Sequence, residues 1–251
     1  MSDGHLDELV ARLDRARTIT AFTGAGVSRA SGVPTFRGPD GLWRNFRAEE
    51  LATPQAFARD PALVWEWYDW RRQLVARCEP NAAHDVLAQW SRQRPGVTVV
   101  TQNVDGLHER AGTAHVVRLH GSLWEVACWD RCEAGLAPRR DDRVPLPQLP
   151  PRCGHCGGLL RPAVVWFGEM LDGHSWRAAE QAAACDVFFA VGTSSLVYPA
   201  ASLVATARRH GAFIVEVNVD ATPQSSVADI NLRVPAERAF ADLHDRWRSR
   251  A

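Results

Sequence analysis

Four of the six cysteines fall into two close pairs. Cys128 and Cys132 form a C-x3-C pair, and Cys153 and Cys156 form a C-x2-C pair within CGHCGG. Pairs at these spacings, joined by a stretch poor in core residues, are the ligand pattern of a tetrahedral zinc ion. His155 is the alternative ligand in the second pair. Four protein ligands close the coordination shell, so such a zinc is structural rather than catalytic. Cys185 sits in an apolar stretch and reads as a core residue.

Other chemistry-bearing residues follow short apolar runs. TGAGVSRASGVPTFRG, residues 23–38, opens with Gly24-Ala25-Gly26, which lets a backbone approach a phosphate closely. It is not the standard dinucleotide fingerprint, because Arg29 stands where the last glycine belongs. Ser28, Ser31, Thr35 and Arg37 add polar groups and a fixed cation to a loop able to fold over a nucleotide. Gln102, Asn103 and Asp105 in TQNVDG follow a second apolar run, and His120 in RLHGS follows a third. A histidine there titrates near neutral pH and can serve as a general base. Gly192 and Ser194 in VGTSS suit a ribose or phosphate, and Asn218 in EVNVD suits a ribose hydroxyl. Taken singly, each is also ordinary turn or capping material.

WEWYDWRRQL, residues 65–74, sets Trp65, Trp67, Tyr68 and Trp70 beside two arginines. On a helix Tyr68 shares a face with Arg71 (i+3) and with Arg72 (i+4), and spacing alone does not choose between them. One reading is amphipathic packing, with arginine stems over tryptophan faces. The other is a pocket for something both apolar and negatively charged.

Elements must place these residues together. Leu6, Leu9, Val10 and Leu13 follow a helical period, so residues 5–16 form an amphipathic helix. Strands are expected at 18–22, 97–101, 116–119, 186–192, 213–217 and 230–234, and helices at 82–93, 176–184, 199–209 and 236–248. The alternation predicts an α/β fold, a parallel sheet with helices on both faces. Ligands bind such sheets beyond the carboxyl ends of the strands, where the polar residues above stand. Two stretches break the rhythm. Residues 41–79 read as helical, aromatic and strandless, and residues 124–162 as a Cys-, Pro- and Arg-rich zinc segment without apolar period. Both are expected to be insertions forming one small module, the nucleotide-binding domain comprising 1–40, 80–123 and 163–251.

The chain has 251 residues, 46% hydrophobic and 23% charged, the balance of a soluble globular protein. Lys+Arg and Asp+Glu both number 29, so no general attraction to nucleic acid or anionic membranes is expected, and any anion preference is local. No apolar run approaches the ~20 residues of a membrane span. The charged N-terminus lacks a signal-peptide core. Clustered cysteines suit a reducing compartment, so a cytoplasmic location is expected, with a monomer as the default state.

GAGVSRASGVPTFRG, TQNVD, LHG, the two cysteine pairs, VVWFGE (164–169), GTSSLVYPAA and EVN occur in the order found in sirtuins. The chain resembles that family over about residues 10–240. The resemblance implies a Rossmann-like doubly wound sheet with a smaller module made of a helical insertion and a zinc ribbon. It implies NAD-dependent deacylation of lysine in peptides or proteins. The acyl group passes to ADP-ribose and nicotinamide is released, so NAD is a consumed co-substrate. Matched by motif, Gly24, Ala25, Gly26, Arg37, Gln102, Asn103, Asp105, Gly192, Ser194 and Asn218 contact or position NAD. Ala236 in RVPAER falls at the last nucleotide loop, without the family's glycine-rich turn. His120 matches the catalytic base, and Asn103 positions ribose and water. Val164, Trp166 and Phe167 match the strand that pairs with substrate peptide and flanks the acyl-lysine tunnel. The chain departs from the family in having Arg29-Ala30 where Ala-Glu is usual, and in its wider first cysteine pair.

Sirtuins that remove acidic acyl groups carry Tyr-x-x-Arg on the aromatic helix. Tyr68 and Arg71 match it, which implies a preference for succinyl- and malonyl-lysine over acetyl-lysine. On this reading, Arg72→Met is expected to do little to either desuccinylation or deacetylation. Mono-ADP-ribosyl transfer and non-catalytic NAD binding are the alternatives that the same nucleotide pocket leaves open.

Overall fold

Short β-branched and aromatic runs become strands that are buried on both faces. The structure, a computed structural model, describes residues 3–34, 46–135 and 137–249. The first three strands are β1 (Ile19–Thr23), β2 (Val97–Thr101) and β3 (Val116–Arg118). Next come β4 (Gly121–Cys128), β5 (Arg139–Arg140) and β6 (Leu160–Val164), then β7 (Val187–Val191), β8 (Phe213–Val217) and β9 (Ile230–Leu232). Six of them form a parallel sheet in the order β3-β2-β1-β7-β8-β9. The other three form an antiparallel sheet in the order β5-β4-β6.

In the parallel sheet, side chains alternate between two cores. Ile19, Ala21, Val187, Phe189 and Val191 enter one, and Phe22, Phe188 and Ala190 enter the other. Two-sided burial is why these strands read as nearly unbroken apolar runs.

In chain order the helices are α1 (Asp3–Arg15), α2 (Ala48–Leu51), α3 (Pro54–Arg59), α4 (Pro61–Ala76), α5 (Ala82–Gln93), α6 (Leu107–Arg110), α7 (Gly173–Ala183), α8 (Ser202–Arg209) and α9 (Ala236–Arg248). Helices α1, α5 and α9 pack on the first core, and α7 and α8 on the second. Among the described residues, no helix is long and apolar enough to cross a membrane. The expected helices 82–93 and 236–248 appear with those bounds, whereas α7 begins three residues before 176 because Asp172 accepts from Ser175 N at 2.8 Å and caps it. The chain winds outward from β1 through β2 to β3, then resumes on the other side of β1 with β7. The strand order thus reverses between β1 and β7, which puts their carboxyl ends at the topological switch point where such sheets bind ligands.

A third core joins the helical stretch before residue 79 to the antiparallel sheet. Val64, Trp65 and Tyr68 of α4 share it with Leu123, Val126, Leu160 and Trp166. Helices α3 and α4 start at defined caps: Thr53 Oγ1 accepts from Ala56 N at 3.0 Å, and Asp60 Oδ1 from Leu63 N at 3.0 Å. Pro54 and Pro61 occupy the first helical turns. Three polar contacts then tie α4 to the cysteine-bearing segment. Trp65 Nε1 donates to Leu160 O at 2.7 Å, and Leu146 N donates to Asp69 Oδ1 at 2.8 Å. Arg72 donates to the Asp141 carbonyl, lies 3.6 Å from its carboxylate, and stacks 5.6 Å from the Trp124 ring. Residues 124–162, expected to lack apolar period, hold most of the antiparallel sheet, whose strands reach from Gly121 to Val164. A register shift between Gly121 and Val126 breaks the alternation on which sequence reading depends.

The structure gives Arg72 a structural role away from the cavity. Its guanidinium is almost wholly buried and is part of the scaffold. Arg72→Met removes a buried cation from Asp141, although Arg143 still holds that carboxylate at 2.6 Å. The loss should therefore stay below the ~3–5 kcal/mol of a fully orphaned buried charge, yet be clear in a denaturant titration. An unchanged unfolding midpoint would contradict this bracing role.

Candidate active site

A cavity of about 870 Å³ opens at the carboxyl ends of the parallel strands, within the range of small-molecule sites. The β1 loop contributes Gly24, Ala25 and Gly26, and the β2 loop contributes Gln102, Asn103 and Asp105. His120 follows β3, Gly192 and Ser194 follow β7, Asn218 follows β8, and Ala236 begins α9. The small module supplies Tyr68, Arg71, Val164, Trp166 and Phe167 to the same cavity. Val164 ends β6, and Trp166 and Phe167 lie just beyond it. Arg37 falls outside the described residues.

The glycines answer to a local demand. A Cβ on Gly26 would lie 2.7 Å from the Gly192 Cα, and one on Gly192 (φ +56°) would lie 2.5 Å from Val27 N. The β1 and β7 loops thus pack backbone against backbone, and no side chain fits between them. Gly26 N donates to Gly192 O at 2.8 Å. Thr193, the middle residue of the Gly-Thr-Ser turn, gathers the neighbouring loops. Its Oγ1 accepts from Gln102 Nε2 and its carbonyl from Asn218 Nδ2, both at 2.9 Å.

A buried polar chain runs beneath the cavity. Asn103 Nδ2 donates to Gly24 O at 3.1 Å and to Ser28 Oγ at 3.2 Å. Ser28 Oγ donates to Asp105 Oδ2 at 2.8 Å, and Leu107 N to Asp105 Oδ1 at 2.9 Å. Burial raises the Asp105 pKa, opposed by those two hydrogen bonds and by the charge of Arg71. Two histidines without a sequence signal complete the chain. The His84 and His108 rings lie 4.8 Å apart, and His108 Nε2 is 3.0 Å from Thr23 Oγ1. Burial pushes both down, His84 to about 4, so both are neutral at neutral pH.

His120 Nδ1 lies 2.9 Å from Gln102 O. A carbonyl only accepts, so Nδ1 carries the proton and Nε2 presents a lone pair. Burial lowers its pKa from 6.5, opposed by the Gln102 bond. The side chain is therefore a neutral base at neutral pH.

On the module wall, the Arg71 guanidinium lies 4.8 Å from the Trp67 ring and 5.4 Å from the Tyr68 ring. Burial lowers its pKa to about 10, with Tyr68 and Asp105 opposing, so it remains a cation at neutral pH. The two adjacent arginines are thus separated: Arg71 lines the cavity and Arg72 braces the module. The loop 165–169 is pinned by Arg161, whose guanidinium binds both Glu169 oxygens at 2.5 and 2.8 Å. Glu169 Oε2 accepts in turn from Trp166 N at 2.8 Å. Phe167, Met170, Leu196 and Tyr198 are exposed and give this end large apolar side chains open to solvent.

Away from the cavity, Cys128, Cys132, Cys153 and Cys156 bring their sulfurs within 4.8 Å of one another. Cys128 and Cys156 stand 3.6 Å apart, and Cys132 and Cys153 3.7 Å. A zinc–sulfur bond of about 2.3 Å gives tetrahedral sulfur–sulfur edges of about 3.8 Å, so the cluster can hold one structural zinc. Elemental analysis should find one zinc per chain. Cys153→Ala should lose it and lower the unfolding temperature, because metal binding adds to folding free energy. Folded, active protein free of zinc would contradict this assignment.

The Sir2 family model matches residues 24–199. The NAD-dependent protein deacylase of Aquifex aeolicus is 50% identical over 234 residues, covering 92% of this chain and 96% of that protein. The NAD-dependent protein deacylase of Methylococcus capsulatus is 51% identical over 244 residues, covering 93% and 94%. Among solved structures, a Sir2 homolog–NAD complex superposes with a TM-score of 0.91 at 43% identity, covering 97% of this chain and 94% of that one.

Proposed function

The chain belongs to the Sir2 family, and on that premise we propose that it is an NAD-dependent protein lysine deacylase that prefers succinyl- and malonyl-lysine to acetyl-lysine. The observation that carries the acyl preference is a buried cation, Arg71, beside Tyr68 on the wall of the cavity that also holds His120.

NAD supplies the ADP-ribose that accepts the acyl group, with nicotinamide as the leaving group. The chain's own residues supply position and proton transfer. The loops around Gly24, Ala25, Gly26, Gly192, Ser194 and Asn218 hold the dinucleotide, with Ala236 at its far end, and Arg37 is assigned to it by motif alone. Gln102 and Asn218 are already bonded to Thr193, so this surface is preorganised. Asp105 supports the nicotinamide end. Asn103, fixed between Gly24 and Ser28, orients ribose and water. His120 Nε2 takes the proton of a ribose hydroxyl. Val164, Trp166 and Phe167 receive the peptide and the acyl-lysine stem, and the apolar side chains at this end help to exclude water. Arg71 meets the distal carboxylate of a succinyl or malonyl group, with a second hydrogen bond from Tyr68.

His120→Ala should lower turnover by about 10²–10⁴-fold while NAD affinity stays measurable by calorimetry. Because the base must be unprotonated and its pKa lies below 6.5, the acid limb of the kcat/KM profile should fall below pH 6.5. Near-wild-type turnover in His120→Ala would remove it from the mechanism.

Arg71→Met should cut the ratio of desuccinylation to deacetylation by about a hundredfold, the worth of ~2–3 kcal/mol for a charged hydrogen-bonded pair. Mass spectrometry of one peptide carrying succinyl- or acetyl-lysine reads this directly. Equal losses on both substrates would make Arg71 scaffold and remove the acyl preference. NAD consumed without acyl transfer from lysine would overturn the deacylase reading itself.

A further inference from the structure

Trp166 packs beside the cavity, and its polar atom has a defined partner. The indole Nε1 lies 2.9 Å from the Tyr68 hydroxyl oxygen. An indole N–H can only donate, so the tyrosine oxygen accepts in this bond. The Arg71 guanidinium, whose centre lies 5.4 Å from the Tyr68 ring, likewise has no acceptor capacity. Neither neighbour can take the hydroxyl's own proton. Burial raises the Tyr68 pKa above its ordinary 10, so that proton stays in place at neutral pH.

Trp166 is itself held in place. The Arg161 guanidinium stacks 3.6 Å from its ring centre, and the Phe57 ring packs at 5.3 Å. Arg161 is fixed by Glu169, which also accepts from the Trp166 backbone N–H. The orientation of the indole therefore follows from a clamp of Arg161, Glu169 and Phe57.

We propose that Trp166 is a positioning residue for acyl specificity, whose indole N–H commits the Tyr68 hydroxyl to donate its proton to an acyl group ending in a carboxylate. This rests on the acidic-acyl preference put forward above. With a donor-only neighbour on its oxygen and a cation beside its ring, the hydroxyl is complementary to an acceptor. A carboxylate meets both that proton and the adjacent cation, whereas the methyl end of an acetyl group meets neither. A phenylalanine at 166 keeps an aromatic ring against Phe57 and Arg161 but cannot donate, so the Tyr68 hydroxyl regains its rotational freedom.

The test is kcat/KM for the succinyl- and acetyl-lysine forms of one peptide, with wild type, Trp166→Phe, Tyr68→Phe and the double variant. Trp166→Phe should lower the succinyl-to-acetyl ratio about tenfold, mainly through KM for the succinyl peptide. In the Tyr68→Phe background it should change that ratio no further. Equal losses on both substrates, or an effect on the ratio that survives without the Tyr68 hydroxyl, would assign Trp166 to packing and overturn the proposal. A wild-type preference for succinyl that Trp166→Phe leaves intact overturns the proposal alone. A wild type without that preference overturns the acyl reading and the proposal together. Should Trp166→Phe not fold, the indole N–H resonance of Trp166 in wild type carries the test. A shift with succinyl peptide that acetyl peptide does not produce supports the proposal, and identical responses contradict it.

Discussion

The carboxylate of Asp105 is buried where four parts of the molecule meet. It accepts from Ser28 in the β1 loop and from Leu107 N at the start of α6. The Asp105 carbonyl accepts from Trp124 Nε1 of β4 at 2.6 Å, and the carboxylate's charge offsets that of Arg71 on α4. A buried carboxylate without such partners would cost several kcal/mol. Here the cost is met by contacts that also set geometry. The loop after β1, the β2 loop and α4 share one charge balance, and β4 is tied to the same residue through its carbonyl, so none can shift far without a cost at Asp105.

That constraint explains why a cavity between a parallel sheet and a small module can have a fixed shape. On the sheet side, the backbone contact between Gly26 and Gly192 sets the spacing of two strand-end loops, and Thr193 fixes the amides of Gln102 and Asn218. On the module side, α4 is bolted to the cysteine-bearing segment by Trp65, Asp69 and Arg72. The four-cysteine cluster belongs to that same segment. Polar side chains on both walls are oriented by protein partners before any ligand arrives, which is the condition for electrostatic preorganisation.

The parallel sheet was legible in the sequence because burial on both faces leaves runs such as VFFAV between turn residues. The cysteine cluster was legible because metal ligation demands spacing as well as residue type. The antiparallel sheet was not, since its irregular register and proline-rich connections hide the period of two. Ser28, His84, His108 and Thr193 gain their meaning from partners far away in the chain, and a local pattern does not encode such partners. Arg71 and Arg72 mark the boundary most clearly. Both are compatible with the face of Tyr68, yet one helical step of about 100° sends Arg71 to the cavity and Arg72 to Asp141. The family motif pointed to Arg71, while the buried ion pair of Arg72 became visible only once Asp141 was placed in space.

The central claim is that Arg71 and Tyr68 form a carboxylate-binding end to the acyl pocket. A crystal structure of the wild-type protein with a succinyl-lysine peptide tests it most directly. The account predicts the terminal carboxylate of the succinyl group within about 2.7–3.2 Å of both the Arg71 guanidinium and the Tyr68 hydroxyl. A succinyl carboxylate directed into solvent, with the acyl chain seated away from Arg71, would contradict it.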